Sequence, residues 1–432
     1  MKYLHKTRSF CDICSMEVSA YTFEKRGKIF IKKKCPVHGK FQEEHMWDDP
    51  DIYRSFMKLK TVQAPPAHLA IVLTYKCNLN CSVCFANANE VAVRDFEMED
   101  LEKTKDYKLV FLTGGEPTVL ENLPQIIETM KANGQKPVVL SNGIKLTNID
   151  YLQKLKKAGL RYVRLQFDTL KSEDIKYFRG KNLLKTKLRA IRNMEKIGLP
   201  ISLCVVVIKR NIKDLKSLFR FILKHPTIKV VSLNPMRRAG RFDENDFVSA
   251  SMIIREVSEI LDIKKKYWIE TTRFLINLDK LLSFRKPGKR KLFCRCNLKC
   301  QVLPFKGKGI PLGKIFNLKK INLKIEEICL RRSRIKLYFF YGYFIFREVM
   351  INFLVNKYFR LLIFRIIKNL PYLIKKEFML FNPFYSFHIS VYPVKRNLDL
   401  DFVKDCNFHS ISSQDMSFSP ACIQRMDEVT ED

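Results

Sequence analysis

Residues 69–85 read LAIVLTYKCNLNCSVCF, and residues 109–117 read LVFLTGGEP. Each stretch opens with an apolar run of strand length, Leu69–Leu73 or Leu109–Leu112, and continues into a loop that carries cysteines or glycines. Further apolar runs lie at Pro137–Leu140, Tyr162–Phe167, Ile201–Ile208 and Lys229–Leu233, and helix-period segments lie between them at Asn122–Lys131, Leu183–Ile197 and Ile212–Leu223. Six strands alternating with helices predict a parallel α/β barrel or open sheet. Ligands of such folds bind at the carboxyl ends of the strands.

The loop after the first run contains Cys77, Cys81 and Cys84, with three and two residues between them. Three thiolates at this spacing fit one compact loop around a cubic iron–sulfur cluster. Because three ligands serve four irons, one iron stays open to an exogenous ligand, as a catalytic cluster requires. The alternative is a zinc knuckle, which needs a fourth ligand close by, and His68 is a candidate for it.

The second run ends in Thr113-Gly114-Gly115-Glu116-Pro117. A Gly-Gly turn at the carboxyl end of a strand exposes backbone carbonyl groups. Glu116 adds another acceptor beside them. The turn is therefore suited to a ligand's ammonium group, such as the amino group of methionine, although the motif alone would also fit an ordinary βα turn.

With both motifs in place, residues 68–240 resemble the radical S-adenosylmethionine (SAM) superfamily. The resemblance implies a partial (β/α)6 barrel that binds a [4Fe–4S] cluster and SAM. It implies reductive cleavage of SAM to a 5′-deoxyadenosyl radical, which abstracts a hydrogen atom from the substrate. It also implies an electron donor of the ferredoxin or flavodoxin type. One departure is Val83, where the superfamily often has an aromatic residue before the third cysteine.

The same resemblance assigns further residues to the cofactor and substrate. The residues of the Gly-Gly-Glu turn would line the methionine site, and four residues after the third and fourth strands would face the ribose or the substrate. These candidates are Gly114, Gly115, Glu116, Ser141, Asn142, Gln166 and Asp168.

Two further groups of cysteines flank the barrel. Cys11, Cys14, Cys35 and His38 have the spacing of a zinc-ribbon or rubredoxin-like site, for zinc or mononuclear iron. Beyond the barrel, a looser set suggests one or more auxiliary iron–sulfur clusters, with Cys294, Cys296, Cys300, Cys406 and Cys422 as candidate ligands. Cys204 lies within an apolar strand and is expected in the core.

Composition divides the 432 residues into four regions. We expect a metal-binding ribbon at 1–66, the barrel at 67–245, a helical segment with cysteines at 246–330, and a basic, aromatic helical region with a terminal Cys/His motif at 331–432. The net charge of +35 points to an anionic partner: nucleic acid, a phosphate-rich substrate or an acidic membrane surface. With neither a secretory signal nor a membrane span, the sequence predicts a cytoplasmic protein, with peripheral membrane attachment as an option.

The region between Arg331 and Phe378 is both basic and aromatic. At 100° per residue, four cations fall on one helical face, namely Lys357, Arg360, Arg365 and Lys368. This pattern suits the headgroup layer of an acidic membrane. An internal helical layer with a charged rim is the alternative. RNA ranks third, because the aromatic residues are bunched and not interleaved with the cations.

Within its superfamily, the chain is similar to a group that contains the tetraether lipid synthase and pterin-dependent methyltransferases. This similarity leads to the hypothesis of a radical enzyme that modifies or joins apolar lipid or isoprenoid chains. One alternative is a radical methyltransferase that acts on a pterin-like small molecule. A non-enzymatic alternative is a degenerate barrel kept as a metal-bearing lipid- or RNA-binding module.

Overall fold

The computed structural model describes residues 1–11, 14, 16–39, 41–60, 67–90, 94–236, 241, 246, 248–285, 297–306, 308–331, 354, 356–374, 379, 382, 384–390, 408–411 and 418–420. The N-terminal part is an antiparallel meander of four strands in sequential order, followed by a short helix. These elements are β1 (Lys2–Phe10), β2 (Glu17–Lys25), β3 (Lys28–Lys34), β4 (Phe41–Trp47) and α1 (Pro50–Met57).

Six parallel strands form the centre of the molecule and lie side by side in chain order. They are β5 (His68–Thr74), β6 (Leu109–Gly114), β7 (Lys136–Ser141), β8 (Tyr162–Gln166), β9 (Ile201–Val207) and β10 (Ile228–Pro235). The helices between them are α2 (Leu123–Ala132), α3 (Ile149–Ala158), α4 (Ser172–Arg179), α5 (Leu184–Lys196), α6 (Lys209–Ile212) and α7 (Leu215–Ile222). All six predicted strands and the three predicted helical segments are confirmed, the last of those segments as α7.

The remaining strands extend the same sheet at both edges, and the remaining helices connect them along the chain. They are α8 (Ala250–Leu261), α9 (Lys266–Arg285), β11 (Asn297–Phe305), β12 (Lys308–Pro311), α10 (Leu312–Ile315), α11 (Leu318–Arg331), α12 (Lys357–Ile374), β13 (Tyr385–Ser390), β14 (Phe408–Ile411) and β15 (Phe418–Pro420). The strand order is β12-β11-β13-β10-β9-β8-β7-β6-β5-β14-β15. Because β13 inserts between β10 and β11, the regions predicted at 246–330 and 331–432 contribute to one sheet with the barrel. Their boundaries remain a prediction.

The N-terminal meander packs against α8 and α9. The backbone N–H of Asp48 donates a hydrogen bond to Ser251 Oγ at 2.8 Å, and Lys265 forms an ion pair with Asp49 at 3.1 Å. Trp47 and Phe56 are buried in the same apolar core as the helices of the barrel. The meander is therefore joined to the barrel by a packed interface.

The helix predicted in the basic, aromatic region is present as α12. Its Phe359 and Leu362 are buried against Leu303 and Ile310, as the alternative of an internal helical layer requires, whereas its Phe364 and Ile367 are exposed. Within the described ranges, no helix is both long enough and apolar enough to span a membrane.

Candidate active site and metal centre

The loop after β5 is a compact series of turns that brings three cysteines to the carboxyl edge of the sheet. The N–H of Cys84 donates to the carbonyl of Cys81 at 3.2 Å, and the N–H of Ala88 donates to the Cys84 thiol at 3.4 Å. All three thiols, including that of Cys77, are partly buried and none is in a disulfide. Burial, and then the nearby charges of Glu116, Cys81 and Cys84, raise the pKa of Cys77 to about 11. The three cysteines predicted as cluster ligands thus lie together.

Asn89 fixes the start of this loop from its other end. Its backbone adopts a left-handed conformation with φ of +73°, and its N–H donates to the carbonyl of Tyr75 at 2.9 Å. Its side-chain oxygen accepts from the N–H of Cys77, and its side-chain nitrogen donates to the carbonyls of Cys77 and Leu79. A short side chain that tolerates a positive φ is well suited to this place. The sequence analysis did not identify Asn89.

Arg241 holds the far half of the loop. Its N–H donates to the carbonyl of Cys84 at 3.1 Å, and its guanidinium donates to the carbonyls of Cys81, at 3.3 Å, and Ala88. The same guanidinium forms an ion pair with Glu90 at 2.7 Å. Five donors in a rigid fork allow one arginine to bind several carbonyls at once. No local pattern in the sequence pointed to this residue.

The two glycines of the Gly-Gly-Glu turn allow β6 to approach the cysteine loop closely. The N–H of Gly115 donates to the carbonyl of Thr74 at 2.7 Å, and the N–H of Glu116 donates to that of Lys76 at 3.0 Å. A Cβ atom added at Gly115 would lie 2.4 Å from the carbonyl oxygen of Lys76, and one added at Gly114 would lie 2.1 Å from that of Thr74. Close packing of two backbones therefore accounts for both glycines.

Glu116 is buried and connects the ends of β6 and β7 with the cysteine loop after β5. Its carboxylate accepts hydrogen bonds from the Thr118 hydroxyl at 2.6 Å, the Ser141 hydroxyl at 2.8 Å and the backbone N–H of Asn142 at 2.7 Å. Asn142 in turn donates from its side chain to Asn78 in the cysteine loop at 2.7 Å. Burial raises the pKa of Glu116, although these hydrogen bonds act in the opposite direction. The carboxylate thus positions the site's backbone, in addition to its predicted place beside a ligand.

A buried ionic network lies at the end of β8. Arg179 forms an ion pair with Asp168 at 2.6 Å, and the Asp168 carboxylate also accepts from Gln166. The guanidinium of Arg179 reaches the thiol of Cys81 as well. The candidates Gln166 and Asp168 are therefore linked directly to the cysteine loop.

Lys187 is the second cation of this network and is fully buried. Its ammonium donates to the carbonyl of Asn142 at 3.0 Å and to both the carbonyl and the side-chain oxygen of Gln166 at 2.7 Å. Burial and then the charge of Arg179 lower its pKa to about 7, although Asp168, Cys81 and Glu116 act in the opposite direction. Lys187 lies on the apolar stripe of α5, in line with Leu183 and Ile191. A charged residue at such a position is the sequence signal that could have revealed its buried role.

The triad fits a cluster better than a single metal ion. Among the described residues, the N-terminal group is the one whose ligand atoms lie within 4.8 Å of one another, close enough to share one metal ion. The three thiols of the triad are further apart than those of the N-terminal group. A cavity of about 420 Å³ borders Cys77 and Asn78 and leaves space beside them. His68 lies at the opposite end of β5, about 20 Å away at the usual rise per residue. The suggestion that His68 completes a zinc knuckle is therefore wrong.

The N-terminal group has the geometry of a mononuclear site. His38 Nδ1 lies 3.4 Å from the Cys35 thiol and 3.7 Å from the Cys11 thiol, and the thiols of Cys14 and Cys35 are 3.8 Å apart. Burial opposes ionisation of Cys35, but hydrogen bonds from His38 and Val37 lower its pKa to about 6. Three thiols and one imidazole at this spacing suit tetrahedral zinc.

Only some of the remaining cysteines lie within the described residues. Cys300 is buried in the apolar core, on the outer face of β11, and its role as a metal ligand stays a prediction. The predicted ligands Cys294, Cys296, Cys406 and Cys422 lie outside the described residues. Cys204 is only partly buried, and Asn234 donates a hydrogen bond to it at 3.4 Å, so the expectation of a core residue there is wrong.

Comparison with known proteins identifies two families. The Radical SAM superfamily matches residues 71–222, and the HMPTM N-terminal zinc ribbon domain matches residues 3–47. The 7,8-dihydro-6-hydroxymethylpterin dimethyltransferase of Methanocaldococcus jannaschii is 31% identical over 374 residues, which cover 75% of this chain and 74% of that protein. The chain therefore belongs to the radical SAM superfamily and is an enzyme of that class.

Two further relatives match shorter stretches of the chain. The Fe-coproporphyrin III synthase of Methanosarcina barkeri is 26% identical over 203 residues, 44% of this chain and 49% of that protein. The probable GTP 3′,8-cyclase of Saccharolobus islandicus is 28% identical over 249 residues, 54% of this chain and 79% of that protein.

Family membership confirms several predictions. The partial α/β barrel, the N-terminal zinc ribbon, the [4Fe–4S] cluster and SAM as cofactors follow from the two matching families and the metal-ligand geometry. Enzymes of this superfamily require a reductant, as expected. The non-enzymatic alternative finds no support.

Proposed function

We propose that this enzyme is a radical SAM methyltransferase that acts on a pterin-type small molecule. The observation that carries the proposal is the 31% identity to the pterin dimethyltransferase, which extends over 374 residues and beyond the barrel. The match of residues 3–47 to the HMPTM N-terminal zinc ribbon domain supports the same assignment. This reaction was the alternative in the sequence analysis.

A lipid or isoprenoid substrate, the first hypothesis, has no support from the comparisons. The α12 helix, on which the membrane interpretation depended, uses Phe359 and Leu362 to pack against the sheet. Lipid or membrane association therefore finds no support.

The loop after β5 would hold the cluster through Cys77, Cys81 and Cys84, since all three thiols are free and partly buried at the carboxyl edge of the sheet. When bound, the cluster and SAM supply the 5′-deoxyadenosyl radical that abstracts hydrogen. The protein's own contribution is to hold these ligands in place. Asn89 and Arg241 bind the main chain of the loop from both sides.

The predicted cofactor residues divide into two groups by their contacts. Gly114, Gly115 and Glu116 form the close junction between β6 and the cysteine loop. Gln166 and Asp168 lie in the cationic network with Arg179 and Lys187. Arg179, which reaches the Cys81 thiol, and Lys187 in its protonated form favour anionic groups there, such as the thiolate itself or a ligand carboxylate. We propose this network as the place where the carboxylate of the methionine group is neutralised.

The proposal is tested with anaerobically reconstituted full-length protein, dithionite, SAM and 7,8-dihydro-6-hydroxymethylpterin carrying deuterium at its carbon-bound hydrogens. We expect deuterium to appear in the 5′-deoxyadenosine product, together with a methylated pterin detected by mass spectrometry. S-adenosylhomocysteine in the products would identify SAM as the methyl donor. Formation of 5′-deoxyadenosine without deuterium and without any pterin product would contradict the proposed substrate while leaving the enzyme class intact.

A further inference from the structure

The strands of the barrel have two unlike faces. Leu165, Leu203 and Val231 have no accessible surface and belong to the core between the sheet and the helices. Because side chains alternate along a strand, the residues between them project to the inner side of the barrel. This inner face is where a chamber for the substrate can form.

One polar row runs across the inner face of five strands. Residues that pair in a sheet project to the same side, and the register joins Gln166 to Cys204, Cys204 to Ser232, Ser232 to His388, and His388 to Lys299. Four of these side chains, all except Ser232, keep part of their surface accessible. The row begins at Gln166, which contacts Asp168 and Lys187, so it is continuous with the candidate cofactor site.

The other half of the inner face is apolar. Ala70, Phe111 and Val138 form a cluster with Leu140 and Tyr162, separate from the core on the outer face. The inner side of the barrel therefore combines an apolar wall on β5 to β8, centred on the row Ala70–Phe111–Val138–Tyr162, with a polar wall on β8 to β11. The polar wall lies nearer the carboxyl ends of the strands, four residues further along β8. Such a combination suits a ligand with a flat ring at one end and polar groups at the other.

Arg164 stands where the two walls meet. It pairs in register with Ser202 and lies on the same side of β8 as Tyr162 and Gln166. Its Nε atom is buried and has no hydrogen-bond partner among the described residues. A buried donor that lacks a partner is costly. Because Arg164 as a whole keeps part of its surface accessible, a ligand can reach its guanidinium and supply the missing partner.

The surroundings of Arg164 add positive charge. His388 lies near both Arg164 and Lys299, and burial together with these two cations holds its pKa well below its usual range. Lys299 has one carboxylate nearby, that of Asp279 on α9. The described inner-face positions of β5 to β11 and β13 carry neither Asp nor Glu, so the wall has no acid of its own to pair with Arg164.

We propose that the inner face holds an oxyanion subsite in which Arg164 binds a phosphate or carboxylate group of the substrate while the apolar wall takes its ring. The choice of a pterin ring rests on the proposed function, whereas the anionic group is inferred from the inner face itself. The substrate class is thus narrowed from a neutral pterin to an anionic one. Arg164 suits both oxyanions, since its fork of donors matches phosphate and carboxylate equally.

The test is an anaerobic fluorescence anisotropy titration of the reconstituted full-length protein, saturated with SAM. The probes are 6-hydroxymethylpterin, its phosphate ester and 6-carboxypterin, and inorganic phosphate serves as a competitor. The variants are Arg164→Gln, Arg164→Lys and, as a matched control, Arg189→Gln, which removes an exposed arginine of α5. Circular dichroism and iron content establish that each variant is folded and loaded.

We expect at least one anionic pterin to bind wild-type protein about tenfold or more tightly than the neutral one, as for a charge-assisted hydrogen bond. Whichever anion binds more tightly identifies the group. Arg164→Gln should lose this preference, Arg164→Lys should keep part of it, and Arg189→Gln should keep all of it. Equal binding of the three pterins to wild type, or an unchanged preference in Arg164→Gln, would overturn the subsite.

The same titration separates the two proposals. Phosphate alone is also tested, by its effect on the midpoint of thermal unfolding. If no pterin binds but phosphate raises this midpoint in wild type and not in Arg164→Gln, the pterin assignment fails and the oxyanion subsite stands. If only the neutral pterin binds, the subsite fails and the proposed function stands. Absence of binding by all probes, phosphate included, overturns both.

Discussion

The side-chain amide of Asn89 forms a pair of hydrogen bonds with the main chain of Cys77: its oxygen accepts from the Cys77 N–H at 2.7 Å, and its nitrogen donates to the Cys77 carbonyl at 3.2 Å. The first cysteine of the triad is thereby fixed by a residue beyond the third. Residues that hydrogen-bond to metal ligands orient those ligands, and losing such a residue commonly lowers metal affinity about 10- to 100-fold.

Replacing Asn89 by glycine keeps the left-handed backbone and removes the amide. We expect Asn89→Gly to weaken cluster retention against an iron chelator roughly tenfold or more, as losing an outer-shell partner does. Asn87→Gly is a matched control, because Asn87 also has a positive φ but its side-chain oxygen has no hydrogen-bond partner in the described residues. Equal retention in the two variants would show that the amide is unimportant.

Substitution of Gly115 should break the contact between β6 and the cysteine loop. A Cβ atom would lie 2.4 Å from the carbonyl oxygen of Lys76, so we expect Gly115→Ala to lower the free energy of unfolding by about 3 kcal/mol, the upper range for overpacking. Gly134→Ala, at a position with open space and a positive φ, should cost only about 1 kcal/mol. Urea denaturation of both variants checks the difference, and a smaller cost at Gly115 would contradict it.

Loss of Arg179 should leave a buried carboxylate unpaired. Because both side chains of the Arg179–Asp168 pair are buried, Arg179→Gln is expected to lower the free energy of unfolding by about 3 kcal/mol or more. The double variant Arg179→Gln/Asp168→Asn should recover part of this loss, since it removes the unpaired charge. Denaturation of the single and double variants is the measurement, and identical stabilities would argue against a coupled pair.

Acid should destabilise the fold through His68. Burial, and then the charge of Lys299, lower its pKa from 6.5 to about 4. Since the unfolded chain binds the proton first, stability present above pH 6.5 is lost as the pH falls toward 4, by about 3 kcal/mol at most. In His68→Gln, the free energy of unfolding should change less between pH 6.5 and pH 4.5 than in wild type. Parallel pH profiles would contradict the burial argument.

The N-terminal metal should be independent of the cluster. In His38→Ala and Cys11→Ala we expect zinc, measured by mass spectrometry of the metals, to be lost while the iron and sulfide content persists. Cys77→Ala should show the reverse pattern. Loss of both metals in every variant would mean that the two sites do not fold separately.

Local patterns predicted the barrel well and its edges poorly. The six parallel strands have short apolar runs, and the cysteine loop and Gly-Gly-Glu turn lie where the strand ends place them. Insertion of β13 beside β10 could not be predicted, because a parallel pairing between residues about 150 positions apart leaves no periodic signal.

The candidate site shows the same division. Cys77, Cys81 and Cys84 were evident from spacing, and Lys187 could have been found as a charge on an apolar helical stripe. Arg241 could not, because its role depends on carbonyl groups that only the folded loop presents. The core position of Cys300 could not be read from its neighbours, because strand alternation decides which cysteines of a group face the core.

The most direct test of the account concerns the triad. Anaerobically reconstituted wild-type protein and Cys77→Ala are incubated with SAM and dithionite. The control is Cys329→Ala, which removes a free cysteine of α11, outside the triad and the inner face of the barrel. We predict 5′-deoxyadenosine from wild type and Cys329→Ala and none from Cys77→Ala. Undiminished 5′-deoxyadenosine from Cys77→Ala would contradict the assignment of this loop as the catalytic centre.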